Sequence, residues 1–215
     1  MIFIDLDNTL YNQEQILRYV FSKIGEELEK RFNLDKSKAS RYLLGLVKEK
    51  TLRYRIFDDL ISRFDLEISP EELVRLYREF HLEFLRSRRI KLYRSALELL
   101  GNSSLVVYTE GDREIQEEKI RNIMRNYGVY FDYIIVRDKL DEGNRVYFEE
   151  YRVKVYIGDD PFADFLVPNK LGVTTVRVLT GLYRGIPNES VKEEYRPKIT
   201  IRNLKGLGKV LRGAK

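Results

Sequence analysis

The sequence predicts an α/β protein: a Rossmann-like, doubly wound parallel sheet core carrying an inserted all-helical cap domain. Two observations predict it. Five short apolar runs rich in Ile and Val are spread along the chain, with helical stretches between most of them. The long gap from residue 11 to about 100 has no such run and carries helical periodicity instead.

The runs are residues 2–6 (IFIDL), 104–108 (SLVVY), 133–136 (YIIV), 153–157 (VKVYI) and 173–178 (VTTVRV). Their β-branched content favours strands, and several lack strict alternation, as expected of strands covered on both faces. Residues 198–201 (KITI) suggest a last short strand before a basic closing helix. Between the second and third runs, residues 112–126 place Ile115, Lys119, Ile120, Ile123 and Met124 near one helical face. Within the gap, Leu17, Val20, Phe21, Ile24 and Leu28 recur at helical spacing over 14–32. Residues 69–87 open on Ser69-Pro70-Glu71-Glu72, an N-cap, an N1 proline and a capping-box glutamate. Two further helices are expected over 35–49 and 51–64. The domain division that follows is a core of 1–12 and 96–215 with a cap of 13–95.

Composition narrows the chemistry. The 215 residues contain no Cys, which excludes disulfides, Cys-ligated zinc, iron–sulfur clusters and Cys nucleophiles. A single His, His81, excludes a His-rich metal site and leaves a Ser-His-Asp triad only if His81 is its base. His81 is expected at the surface or in packing within the cap. The formal charge of +5 is spread over a dense mixed surface, which suits an anionic ligand better than nucleic acid. The basic run Arg86–Lys91 reads as a solvated helix end. Dense mixed charge, 15 Tyr and only three Gln suggest heat adaptation. No apolar run is long enough to span a membrane, and Asp5 and Asp7 interrupt the first one, so a cytoplasmic monomer or homodimer is expected.

Four short motifs follow the predicted strands. Asp5-Leu6-Asp7-Asn8-Thr9-Leu10 puts two carboxylates at the end of the first run. Residues i and i+2 of a strand point the same way, so the pair would repel unless a cation joined it. Oxygen ligands without His or Cys suit Mg²⁺. One carboxylate could then attack phosphorus while the other moves protons. Gly158-Asp159-Asp160-Pro161-Phe162-Ala163-Asp164 adds three acids after the fourth run. Each acid motif could instead cap a helix, but both at equivalent strand ends favour a cation site. Thr109-Glu110-Gly111-Asp112 could cradle phosphate through a hydroxyl and backbone N–H groups. Lys139 follows the third run and could balance the acids and hold a phosphate oxygen.

In this order the motifs resemble those of the haloacid dehalogenase-like (HAD) phosphohydrolases, over nearly the whole chain. DLDNTL and GDDPFAD match the first and fourth motifs, and TEGDREIQEEKI looks like the second-motif region of the nucleotidase- and sialic-acid-9-phosphatase-like branch. The resemblance implies that Asp5 is a nucleophile forming an aspartyl-phosphate and Asp7 a general acid and base. It implies that Thr109, with Glu110 in the same cradle, and Lys139 contact phosphate. Mg²⁺ would sit on Asp5, the Asp7 backbone carbonyl and Asp159, with Asp160 or Asp164 acting through water or orienting the site. Haloacid dehalogenases lack the second acid of the first motif, so Asp7 favours a phosphate monoester hydrolase for a small phosphorylated metabolite. A phosphosugar mutase, or a non-enzymatic basic binding protein on the same fold, is the alternative. The family's third motif usually reads Lys-Pro before an acidic helix; this chain has neither, so Arg145 or Lys154 could replace Lys139 as the cation. Tyr11, Arg18, Tyr19, Arg53, Tyr54 and Arg55 are candidates for the inner side of the cap.

Overall fold

The computed structural model describes residues 1–48, 55–101 and 104–208. The chain forms two compact units, one of Met1–Gln13 with Lys91–Lys215 and one of Glu14–Ile90. This division gives residues 91–95 to the first unit, where the sequence reading gave them to the cap.

The first unit is built on a six-stranded sheet of β1 (Ile2–Ile4), β2 (Leu105–Glu110), β3 (Asp132–Val136), β4 (Val155–Gly158), β5 (Thr174–Val178) and β6 (Ile199–Ile201). Every pairing is parallel, and the strand order is β3-β2-β1-β4-β5-β6. The chain therefore winds outward from β1 to β3, then returns to β4 on the other side of β1. The order reverses between β1 and β4, the place where open parallel sheets bind ligands.

Core contacts explain why the strands are apolar. Phe3 on β1 is fully buried, stacks on Tyr108 with centroids 5.2 Å apart and packs against Phe148 at the same distance. Tyr156 and Phe165 extend the cluster. Between the strands run α5 (Arg94–Leu100), α6 (Arg113–Tyr127), α7 (Arg145–Glu150) and α8 (Leu166–Lys170), numbered after the four helices of the second unit. Asp112 caps α6 by accepting from the Ile115 N–H at 3.1 Å, and Gly128 ends it in the left-handed region. The short helices α5, α7 and α8 lie outside the periodic stretches of the sequence reading, because five to seven residues give too few turns to show a stripe.

The second unit is all helical: α1 (Glu14–Phe32), α2 (Lys36–Lys48), α3 (Ile56–Phe64) and α4 (Pro70–Ser87). α1 packs on both α2 and α4. The approach of α2 to α1 needs Gly25, where a Cβ would lie 2.6 Å from the Lys36 carbonyl oxygen. Ser69 caps α4 by accepting from the Glu72 N–H at 3.2 Å, as its sequence signature requires. His81 belongs to the interior of this unit: it is 1% exposed, with its ring 5.3 Å from that of Tyr77. Of its two expected places, the surface or packing within the helical unit, it takes the second, sharing the buried side of α4 with Leu73, Leu76, Phe84 and Leu85. The α4 end is solvated as expected, with Arg88 over the Tyr19 ring at 4.5 Å. Ion pairs run as networks, such as Glu27 with Lys30 and Arg31, and Arg31 in turn with Glu72. Arg53 and Tyr54 lie outside the described residues, as do the first part of the expected helix over 51–64 and residues 209–215 of the expected closing helix. Among the described residues no helix is long and apolar enough to cross a membrane.

Because Phe3 sits at the middle of the aromatic cluster, Phe3→Ala is expected to cost about 3–5 kcal/mol of stability. The midpoint of urea unfolding reads this directly.

Candidate active site

The site begins where β1 stops. The Asp5 N–H donates to the Ile157 carbonyl at 2.8 Å, extending the β1–β4 ladder by one residue. That bond holds the Asp5 carboxylate beside the end of β4, where Asp159 follows Gly158. Asn8 then turns the chain in the left-handed region, with φ of 60°, a conformation Asn tolerates. Its Oδ1 accepts from the Gln13 N–H at 3.2 Å, and its carbonyl accepts from the Thr180 hydroxyl at 2.7 Å.

Three carboxylates converge at this edge: Asp5, Asp159 and Asp164 each offer an oxygen within 4.8 Å of the others, and all three are buried. Lys139 lies among them. Its ammonium donates to Asp5 at 2.5 Å and to Asp164 at 2.7 Å. The Lys139 N–H donates to the Glu110 carboxylate at 3.0 Å, which anchors the loop to the end of β2. Lys139 is thus the cation beside Asp5. Arg145 pairs with Glu149 on an exposed turn of α7, and Lys154 is exposed.

Asp164 is fully engaged. One of its oxygens accepts from Lys139 and from the Tyr156 hydroxyl at 2.9 Å, and the other accepts from the Asp160 N–H at 2.8 Å. Gly158 is required here, because a Cβ would lie 2.2 Å from that second oxygen. Asp160 turns its own carboxylate to the Phe162 N–H at 2.9 Å. Asp159 differs from both. Thr9 donates to one of its oxygens at 3.4 Å, while the other is buried without a hydrogen-bond partner.

Electrostatics follow from this crowding. Burial, then the neighbouring Asp164 and Asp7, push Asp5 up to about 7 against the pull of Lys139. Burial and the charges of Asp164, Asp5 and Asp160 push Asp159 well above the carboxylate range. Burial opposes the charge on Lys139, but Asp164 and Asp5 outweigh it and hold the ammonium protonated. Fully ionised, three carboxylates against one ammonium would leave two negative charges in a buried space, which is why Asp5 and Asp159 are pushed toward their protonated forms. A divalent cation fits that deficit, and the unpartnered Asp159 oxygen is the atom most in need of it.

Asp7 stands apart from the cluster. Its carboxylate accepts from the Lys119 ammonium at 2.9 and 2.7 Å, from Gln116 Nε2 at 3.1 Å, and from the Tyr11 hydroxyl. Burial raises its pKa, but the Lys119 charge and the hydrogen bonds from Lys119, Tyr11 and Gln116 win and lower it. Thr109 is buried at the end of β2, and Gly111, with φ of 139°, leads into α6. The Glu110 side chain is spent on the Lys139 backbone, so the Thr109–Asp112 segment can offer phosphate only a hydroxyl and N–H groups.

The fold matches that of solved proteins. A predicted phosphoglycolate phosphatase from Haemophilus somnus aligns over 98% of this chain and 97% of its own, with a TM-score of 0.70 at 17% identity. YfnB from Bacillus subtilis, a HAD-hydrolase bound to magnesium, aligns over 98% and 97% with a TM-score of 0.67 at 19% identity. This is the haloacid dehalogenase-like fold. A HAD phosphatase from Thermococcus onnurineus shares it, with a TM-score of 0.58 at 19% identity over 99% of this chain and 97% of that one. In sequence, the glyceraldehyde 3-phosphate phosphatase of Methanocaldococcus jannaschii is 26% identical over 231 aligned positions, covering 100% of this chain and 97% of its own. No protein-family profile matches the chain.

Four residues of this site have no role assigned from sequence: Thr9 on Asp159, Tyr156 on Asp164, and Lys119 and Gln116 on Asp7; Tyr11, expected to line the inner side of the cap, donates to Asp7 instead. One signal was present. Lys119 is a cation within the apolar stripe of α6, and it is buried.

Two outcomes follow. Gly158→Ala is expected to displace Asp164 and weaken Mg²⁺ binding by about 10-fold or more, read by calorimetric titration. The second concerns pH. The Asp5 pKa is raised from 3.8 to about 7, so its proton is favoured by the fold: that stability is full below 3.8 and is lost as pH rises through about 7. In chelator, the Tm is expected to fall across that window, and Mg²⁺ should restore it by taking the proton's place.

Proposed function

We propose that the chain is a Mg²⁺-dependent phosphatase that hydrolyses a small phosphorylated metabolite through an aspartyl-phosphate on Asp5. The observation that carries this reading is the buried set of Asp5, Asp159 and Asp164 around Lys139, at the point where the sheet order reverses. The sequence likeness to a glyceraldehyde 3-phosphate phosphatase supports the reaction class and makes a triose phosphate the first substrate to test. The reading is of a cytoplasmic enzyme, active as a monomer or homodimer.

In the first step an oxygen of Asp5 attacks phosphorus. The bond from phosphorus to the ester oxygen breaks, and the leaving oxygen takes a proton that Asp7, ionised in the free site, receives from the bound phosphate monoanion. In the second step Asp7 takes a proton from water, whose oxygen attacks the phosphoryl group and returns the Asp5 carboxylate with release of phosphate. Lys139 neutralises the nucleophile and the transferred group, while the Thr109 hydroxyl and the N–H groups at the start of α6 hold phosphoryl oxygens. Mg²⁺ would be held by Asp5, the Asp7 carbonyl and Asp159, where it offsets the charge gathered on the transferred group. Asp164 keeps Lys139 in place, and Asp160 shapes the turn that presents Asp159. The inserted unit Glu14–Ile90 would act as the cap that chooses the substrate.

Phosphate release from p-nitrophenyl phosphate, with and without Mg²⁺, tests the reading. Release that needs Mg²⁺ is expected, with Asp5→Asn lowering kcat by at least about 10³-fold while the Tm stays near wild type. Turnover by Asp5→Asn above a few per cent of wild type would overturn it. A mutase would instead show turnover that depends on added bisphosphate.

A further inference from the structure

Lys119 is a buried cation with no part in the reaction as derived. It lies on the inner face of α6 between Ile115, Ile120 and Ile123, and is 1% exposed. A lysine at such a position is costly unless its charge is matched. Its match is Asp7 alone among the acids at this edge, with both carboxylate oxygens engaged, at 2.9 and 2.7 Å. Gln116, one helical turn earlier, donates to Asp7 at 3.1 Å and to the Glu110 carbonyl at 2.8 Å, which ties the arrangement to the end of β2. Tyr11 donates from the opposite direction along the chain. The Asp7 carboxylate is therefore fixed by α6 and stays outside the group formed by Asp5, Asp159 and Asp164.

We propose that Lys119, supported by Gln116, is a positioning residue that aims the Asp7 carboxylate at the leaving oxygen of the substrate and keeps it from joining the cation-binding carboxylates. This rests on the phosphatase reading above. Two adjacent acids on one strand end would otherwise compete for the same cation. Lys119 gives one of them a different partner, so Asp5 attacks and Asp7 transfers the proton.

The readout is leaving-group dependence. kcat/KM reports events up to formation of the aspartyl-phosphate. An aryl ester such as p-nitrophenyl phosphate leaves readily without a proton, whereas an alkyl ester such as glycerol phosphate needs one. Lys119→Met keeps the length of the side chain and removes the charge. It is expected to lower kcat/KM about 10²-fold for glycerol phosphate and by about 10-fold or less for p-nitrophenyl phosphate. Lys119→Arg should recover part of the alkyl activity. Combined with Asp7→Asn, Lys119→Met should add no further loss, since both act through one carboxylate. If Lys119→Met does not fold, Gln116→Met should give the same pattern at smaller amplitude. Equal losses for both esters, or additive losses in the double variant, would overturn the inference and leave the phosphatase reading intact. A wild type without Mg²⁺-dependent release would overturn that reading and this inference with it.

Discussion

Carboxylates crowded at the ends of adjacent parallel strands are the constraint on which the rest of this site depends. Parallel pairing of β1 with β4 sets Asp5 next to Asp159, and the turn after β4 brings Asp164 back to them. At the separations involved, buried like charges repel by several kcal/mol even at a moderate effective dielectric. Lys139 answers part of that repulsion and is itself held on three sides: by Asp5, by Asp164 and, through its backbone, by Glu110. Asp164 is held in turn by Tyr156 and the Asp160 N–H. With these partners taken, Asp159 is the acid left with a buried oxygen unanswered by any protein donor.

Asp5 and Asp7 differ by two positions in sequence and by the direction in which their surroundings move them. Asp5 is pushed up and Asp7 is lowered. The cause is not depth alone, since burial raises both. Asp5 shares its cation with Asp164, while Asp7 has Lys119 to itself along with two neutral donors. Here the separation is built from α6, an element that contributes nothing to the three-carboxylate group.

Much of this was legible in the sequence because it is carried by local pattern. Strand runs, the 14–32 and 69–87 helices and the acids at the two strand ends all announce themselves within a few residues. The short helices α5, α7 and α8 do not, being under two or so turns long and placed by packing against the sheet. The contacts of Asp7 do not either, since Lys119 lies 112 positions away and Tyr156 reaches Asp164 only after the turn at Gly158. The sequence left the cation open among Lys139, Arg145 and Lys154. Geometry decides it by burial: an amine can balance buried acids only from inside, and Arg145 and Lys154 face solvent.

A second buried cation shows the same logic on the other side of β4. Arg177 sits on β5, inside a run that otherwise reads as apolar, and is 1% exposed. Its guanidinium donates to the carbonyl of Asp159 at 3.2 Å, to the carbonyls of Tyr183 and Ile186 at 2.7 and 2.8 Å, and to Asn188 Oδ1 at 2.6 Å. The planar fork of donors thereby joins the turn that carries Asp159 to the 183–188 segment. Gly181 brings that loop against Asn8, where a Cβ would lie 2.2 Å from the Asn8 Cβ, and Thr180 closes it on the Asn8 carbonyl. The turn after β1 and the turn after β4 are thus braced by one loop from β5. Lysine could not do this, because a single ammonium has neither the reach nor the directions to meet four acceptors spread over two segments. A cation in an apolar strand and a cation in an apolar helix stripe therefore have one explanation here: each anchors a carboxylate-bearing turn whose own charges would drive it apart.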